Sequence, residues 1–181
     1  MRITAGKYRS RKLEAPKNDD VRPTSDKVRQ ALFNALNSRG LVIDSVVLDA
    51  FCGTGALGLE ALSQGAAHCI FMDKSKNSYN LCRKNIALLA AESQSDIFFQ
   101  DSTKAKLRPD DLLPANLIFL DPPYHKGLVE KAIESLTQGG WVTDDAAFVI
   151  EAAKDDDLNL HDLNLISEKT YGDTKILIAN R

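Results

Sequence analysis

Apolar positions along this chain change their period several times, and each change marks an element. VVLDAF (46–51), HCIFMD (68–73), DIFFQD (96–101), NLIFLD (116–121) and AAFVIEA (146–152) are short, nearly unbroken apolar runs and predict buried strands. Between them the spacing turns helical. Val28, Ala31, Leu32, Ala35 and Leu36 follow a Thr24 or Ser25 cap and stop at Gly40; ALGLEALSQ stops at Gly65; Tyr79, Cys82, Ile86 and Leu89 share one face after Ser75. A fourth helix is expected from Gly127 to Gln138, with Leu128, Ala132, Ile133 and Leu136 inward and Gly139 and Gly140 as the stop. The segment LNLISEKTYGDTKILIAN predicts two strands turning at Gly172 and Asp173. Alternation of strand and helix implies a mainly parallel, doubly wound α/β sheet, here with an antiparallel C-terminal hairpin at its edge. Ahead of it, RITAG and RKLEA suggest a small hairpin, and Pro16 and Pro23 exclude helix from the loop that follows. Residues 1–40 are therefore expected to form a basic hairpin, arm and helix within the same fold, and residues 41–181 the main domain.

With 181 residues, 44% of them apolar, the chain can bury one sizeable core. There is no run of eighteen apolar residues and no apolar segment behind the basic start MRITAGKYRSRKLEAP, so a cytoplasmic protein without a membrane span is expected, and a monomer. Cys52, Cys69 and Cys82 are odd in number and lack paired spacing, which predicts core packing rather than disulfides or a metal site. The net charge of -2 conceals a division, since residues 1 to 39 hold ten basic and four acidic side chains. A basic segment on an acidic body suits a phosphate backbone, and a solvated arm is the bland alternative.

Gly53, Gly55 and Gly58 stand in GxGxxG spacing between a strand and a helix, where open α/β sheets bind nucleotide-like ligands. That spacing alone admits a dinucleotide or S-adenosylmethionine. Asp49, four residues before Gly53, separates them, because a carboxylate there repels a pyrophosphate and attracts an ammonium or sulfonium group. The next two strands also end in acids. Asp73 suits the ribose hydroxyls and Asp101 the adenine amino group, with the backbone around Ser102 nearby and Phe51 among the expected cofactor contacts. The expected fold is thus the Rossmann-like class I fold of S-adenosylmethionine-dependent methyltransferases.

The fourth strand ends in Asp121, Pro122, Pro123 and Tyr124. Prolines restrict their own φ and the residue before them, so carbonyls here point in determined directions. An exocyclic amino group on a nucleobase is a poor nucleophile until acceptors hold its hydrogens; the Asp121 carboxylate and Pro122 carbonyl can do so. Tyr124 can stack on the base, a contact worth about 1 to 3 kcal/mol, comparable with the few kcal/mol that extrusion of a base costs. A strand stop shielded by an aromatic is the plain alternative.

MRITAGKYRSRKLEAP, RPTSDKVRQALFNAL, LDAFCGTGALGLEALSQGA and FLDPPY, with the closing hairpin, resemble the RsmD-type small-subunit ribosomal RNA guanine-N2 methyltransferases of bacteria over nearly the whole length. The resemblance implies S-adenosylmethionine as cofactor and a guanine of 16S-type rRNA, presented within an assembling subunit, as substrate. It also implies that Arg22 to Thr24 lie close to the cofactor, and that the N-terminal hairpin and arm, with Lys7, Arg9, Arg11 and Lys12, contact RNA. Two positions depart from the family pattern: Asp73 where glutamate is usual, and Cys52 where alanine is common. Competing readings are amino-group methylation of another RNA or DNA base, a non-catalytic RNA-binding or assembly factor on the same fold, and an NAD-dependent dehydrogenase.

Overall fold

A computed structural model describes residues 1–16, 25–160 and 163–181. The expected cofactor neighbours Arg22 and Thr24 lie outside the described residues. Seven strands form one sheet: β1 (Val46–Asp49), β2 (His68–Asp73), β3 (Ser95–Phe99), β4 (Ala115–Leu120), β5 (Val142–Ala153), β6 (Asn164–Tyr171) and β7 (Thr174–Asn180). Their order is β3-β2-β1-β4-β5-β7-β6. The pairs from β3 to β5 are parallel, while β7 runs antiparallel to both β5 and β6. This is the expected doubly wound sheet, with the hairpin at one edge.

Alternation of side chains sorts the core into two layers. Val47, Phe71, Leu117, Phe119 and Val149 face α1 (Asp26–Asn37), α2 (Ala56–Ser63) and α3 (Lys76–Leu88), packing with Leu32, Phe33, Leu59, Leu62, Cys82 and Ile86. Leu48, Ile70, Ile118, Leu120, Phe148 and Ile150 face the other way, toward Val129, Ala132 and Leu136 of α4 (Leu128–Gln138) and the buried Trp141. Ser25 caps α1 by accepting from Val28 N at 3.3 Å, and Ser75 caps α3 from Ser78 N at 3.3 Å. All three cysteines are buried and free.

Two expectations change in detail. β5 starts at Val142 rather than Ala146, because Ala115 N bonds Trp141 O at 2.8 Å and Ala115 pairs with Val142 before the register shifts. The N-terminal hairpin shrinks to one antiparallel bridge, Arg2 to Lys12. Hydrogen bonds from Ile3 N to Arg11 O at 3.0 Å, Ser10 N to Ile3 O at 2.9 Å and Leu13 N to Met1 O at 3.3 Å close it. α2 takes up other backbone groups of the arm: Thr4 N and Ala5 N donate to the Glu60 carboxylate at 2.8 and 3.0 Å, Lys7 N to Ser63 O at 2.7 Å, and Tyr8 N to Ser63 Oγ at 2.8 Å. Ile3, Tyr8 and Leu13 are buried in the layer that holds α1 and α2.

Glu60 and Arg29, fully buried in a helix pair that reads as apolar, form an ion pair at 3.2 Å. Arg29 also reaches Asp26 Oδ1 at 2.8 Å and the Arg2 carbonyl. One of the ten basic residues of the first 39 is therefore a core residue and adds nothing to a basic surface.

Candidate active site

The carboxyl ends of β2, β1, β4 and β5 bring four acids to one face of the sheet. Asp49 pairs in register with Phe71 on β2 and Phe119 on β4. Asp73 and Asp121, two residues further along, lie one pleat period above it on the same side. Leu120 pairs with Ile150, so Asp121 is followed across the sheet by Glu151. Asp49 is thus the floor of the site, and the other three stand on its rim.

Asp49 is 2% exposed, and its Oδ2 accepts from Gly58 N at 3.0 Å. Burial pushes its pKa up to about 7, the Gly58 bond partly offsets this, and the charge of Asp73 adds to it. A carboxyl in that condition gains most from a cation placed above it. Gly58 is tied closely here for a second reason: a Cβ would stand 2.4 Å from the Phe71 ring and 2.5 Å from Cys69 Sγ, so only glycine lets α2 approach β2. At Gly53 the situation is opposite. Its φ is +54°, and nothing but the Phe51 carbonyl, at 4.0 Å, comes near the position of a Cβ, which leaves an open backbone face over the sheet.

Asp73 holds the loop as well as facing the site, accepting from Gly53 N at 2.9 Å and Ser75 N at 2.7 Å. One oxygen of the Asp73 carboxylate serves each amide, Oδ2 that of Gly53 and Oδ1 that of Ser75. Asp101 caps a short 3-10 turn through Thr103 N at 3.0 Å and Thr103 Oγ1 at 2.7 Å, with Lys74 Nζ at 3.4 Å. Slight burial raises its pKa, but the Thr103 bonds and Lys74 outweigh this and hold it below the usual carboxylate range. Ser102 is buried and donates from Oγ to the Ala50 carbonyl, so its side chain joins the β3 tip to the β1 tip. Phe51 is half-buried against the α4-side core. Asp73 and Asp101 thus already fix loops, and Asp49 holds an amide of α2. A carboxylate offers about four acceptor positions, so the two roles are compatible.

At the β4 tip, Asp121 is partly buried, Pro122 is buried, Pro123 is exposed and Tyr124 is half-buried. Burial first, then the charges of Glu151 and Asp49, raise the Asp121 pKa well above the usual carboxylate range. The Tyr124 hydroxyl donates to Glu151 Oε1 at 2.8 Å and lies 3.0 Å from Thr174 Oγ1. Burial and the neighbouring Glu151 charge raise its pKa despite the Thr174 bond, so it stays a neutral phenol. The next residue, His125, takes a left-handed φ of +58° and places Nδ1 2.7 Å from Asp156 Oδ1. Beside them a cleft of about 260 Å³ opens, lined by Pro123, Tyr124, Lys126, Glu151 and Asp156 among others. Glu151 and His125 were not anticipated. Glu151 had a legible signal, an acid closing the apolar run FVIE like those of the other strands; the His125–Asp156 contact had none.

The basic residues expected to contact RNA have different surroundings. Lys7 Nζ lies over the Tyr8 ring at 4.9 Å, and Arg11 donates to Leu88 O at 2.6 Å, at the C-terminus of α3. Arg9 lines a second cleft, of about 270 Å³, with Arg2 and Lys27, and Lys12 is exposed. The arm also touches the glycine loop: buried Asn85 donates to both Glu14 O and Thr54 O, at 3.0 and 2.9 Å.

Comparison with known proteins places these features in a family. A family model described as Conserved hypothetical protein 95 matches residues 1–180. Ribosomal RNA small subunit methyltransferase D of Haemophilus influenzae is 36% identical over 174 residues, covering 95% of this chain and 89% of that protein. The protein of the same name from Escherichia coli K12 is 37% identical over 152 residues, covering 84% and 74%. The solved structure of yhhF from Escherichia coli superposes with a TM-score of 0.83 at 34% identity, over 100% of this chain and 97% of that one.

Proposed function

The chain belongs to this family, that of ribosomal RNA small subunit methyltransferase D, and from that premise we propose that it methylates the N2 amino group of a guanine in small-subunit rRNA with S-adenosylmethionine as donor. The observation that carries the chemistry is the β4 tip, where a carboxyl of raised pKa stands on the same short loop as an aromatic ring anchored at its hydroxyl. S-adenosylmethionine supplies a methyl group on a sulfonium sulfur, which leaves with the bonding electron pair as the methyl passes to nitrogen.

The residues of this chain do the rest. Asp49 offers the cationic part of the donor a carboxylate on a floor that water does not reach, Asp73 and Asp101 accept from its hydroxyl and amino groups, and the open backbone at Gly53 admits it. Phe51, Gly55, Ser102, Arg22 and Thr24 complete the proposed cofactor set. Asp121 and the Pro122 carbonyl accept the two N2 hydrogens, which frees the nitrogen lone pair to point at the methyl group. Once the N–C bond has formed, the amino nitrogen is cationic and loses one proton. Asp121, with its raised pKa, is a competent acceptor for it. Pro123 stiffens the loop and Tyr124 supports the face of the base. In this reading residues 1–40 contribute RNA contacts through Lys7, Arg9, Arg11 and Lys12, residues 41–181 carry the chemistry, and the protein works in the cytoplasm as a monomer on an assembling subunit.

Incubation with labelled S-adenosylmethionine and, separately, unmodified small subunits, naked rRNA and DNA tests the substrate, followed by mapping of the labelled nucleotide. Label is expected at one guanine of the rRNA; label in DNA alone would refute the reading. Asp121→Ala is expected to bind the cofactor within about threefold of wild type while losing at least about 100-fold in transfer, the order seen when one group stabilising the transition state is removed. Unchanged transfer would remove Asp121 from its role.

A further inference from the structure

An acceptor pair for an amino group does not distinguish guanine from adenine or cytosine, since all three carry one. The neighbouring strand supplies a discriminating group. The register that pairs Leu120 with Ile150 sets Asp121 and Glu151 side by side at the ends of β4 and β5. Neighbouring strands lie about 4.8 Å apart, and residues level with one another in a parallel pair project to the same face. Glu151 is half-buried, lines the cleft beside the loop, and accepts the Tyr124 hydroxyl at 2.8 Å. Its carboxylate therefore sits at the edge of the ring on which a base would rest, next to the carboxylate that would take the amino group.

We propose that Glu151 determines base specificity by accepting the N1–H of guanine while Asp121 accepts from the adjacent N2 amino group. The proposal rests on the methyl-transfer reading above and adds to it the residue that selects the base. Guanine alone among the common bases presents a ring N–H directly beside an exocyclic amino group. Adenine and cytosine present a bare ring nitrogen there, whose lone pair would face the Glu151 carboxylate with no proton between them. Uracil has the ring N–H and no amino group to methylate. The bond from Tyr124 to Oε1 helps hold Glu151 in place, and Thr174 Oγ1 lies 3.0 Å from the same hydroxyl. Ring and edge reader are thus positioned together.

The test uses small-subunit RNA carrying, at the nucleotide mapped above, either guanosine or 2-aminopurine riboside, which keeps the amino group and lacks the N1 hydrogen. Wild-type kcat/KM is expected to favour guanosine by about 10- to 100-fold, the range for losing a hydrogen bond to a charged group. In Glu151→Gln, whose amide can donate as well as accept, the ratio should fall to within about threefold. Loss of the 6-oxygen, the other difference between the two bases, would not be compensated by that substitution. Tyr124→Phe should lower transfer to both RNAs yet keep the preference for guanosine. Calorimetric titration with S-adenosylmethionine reports whether each variant is folded. Equal kcat/KM for the two RNAs with wild-type enzyme overturns the proposal without reference to any variant, as does an unchanged ratio in a cofactor-binding Glu151→Gln. Failure of wild type to methylate the guanosine RNA would refute the methyl-transfer reading itself and this proposal with it.

Discussion

Asp49 is a carboxyl kept where water does not reach, and its behaviour with pH follows from that. Its folded pKa, about 7, is raised above the ordinary 3.8. The free protein is therefore most stable, so far as this group is concerned, below pH 3.8, and loses that stability as pH rises to about 7. The loss at pH 8 is on the order of 4 kcal/mol. Asp49→Asn should melt higher than wild type at pH 8, with the difference vanishing toward pH 4, and should bind S-adenosylmethionine about tenfold or more weakly. A cation above Asp49 draws its pKa down, so binding to wild type at pH 7 should release up to about half a proton. Calorimetry in two buffers of different ionisation enthalpy measures that release; the same release from the Asn variant would assign it to another group.

At the scale of elements, α2 ties the molecule together. Its first turn meets Asp49 through Gly58, and its middle buries Glu60 against Arg29 of α1 and the Thr4 and Ala5 amides. Removing one partner of such a pair costs about 3 to 5 kcal/mol, because the other charge stays buried. Glu60→Leu is expected to lower stability by that amount in a urea titration. Adding Arg29→Met should recover only part, since two arm amides still lack their acceptor. A loss under about 1 kcal/mol would mean that water takes the place of the carboxylate. The spacing that marks α1 and α2 as amphipathic hides this pair, which lies 31 positions apart in the chain. Element type followed from local period, whereas the purpose of a charge on an apolar face did not.

For the whole molecule, the N-terminal arm is both a charged surface and a piece of the core. Ile3, Tyr8 and Leu13 are buried, the two aliphatic side chains worth roughly 1.5–3 kcal/mol each, so a single cooperative transition is expected rather than early melting of an appendage. Arg9→Ala with Lys12→Ala should weaken RNA binding severalfold at 50 mM salt, as counterion release requires, and the difference from wild type should shrink as salt rises. Equal affinity at low salt would make these residues a solvated face. The sequence by itself determined the strands, the helices and the acids that close the apolar runs, because period and side-chain chemistry are local properties. It also determined the DPPY tip, whose prolines stiffen the chain wherever they stand. Tertiary structure alone decided that Asp49 lies a pleat below Asp73 and Asp121, that Asp49 holds an amide of α2 and Asp73 the glycine loop as well as facing the site, and that Glu151 stands beside Asp121. Those relations depend on strand order and register, in which acids 24 or more positions apart become neighbours, and no local pattern in the chain encodes them.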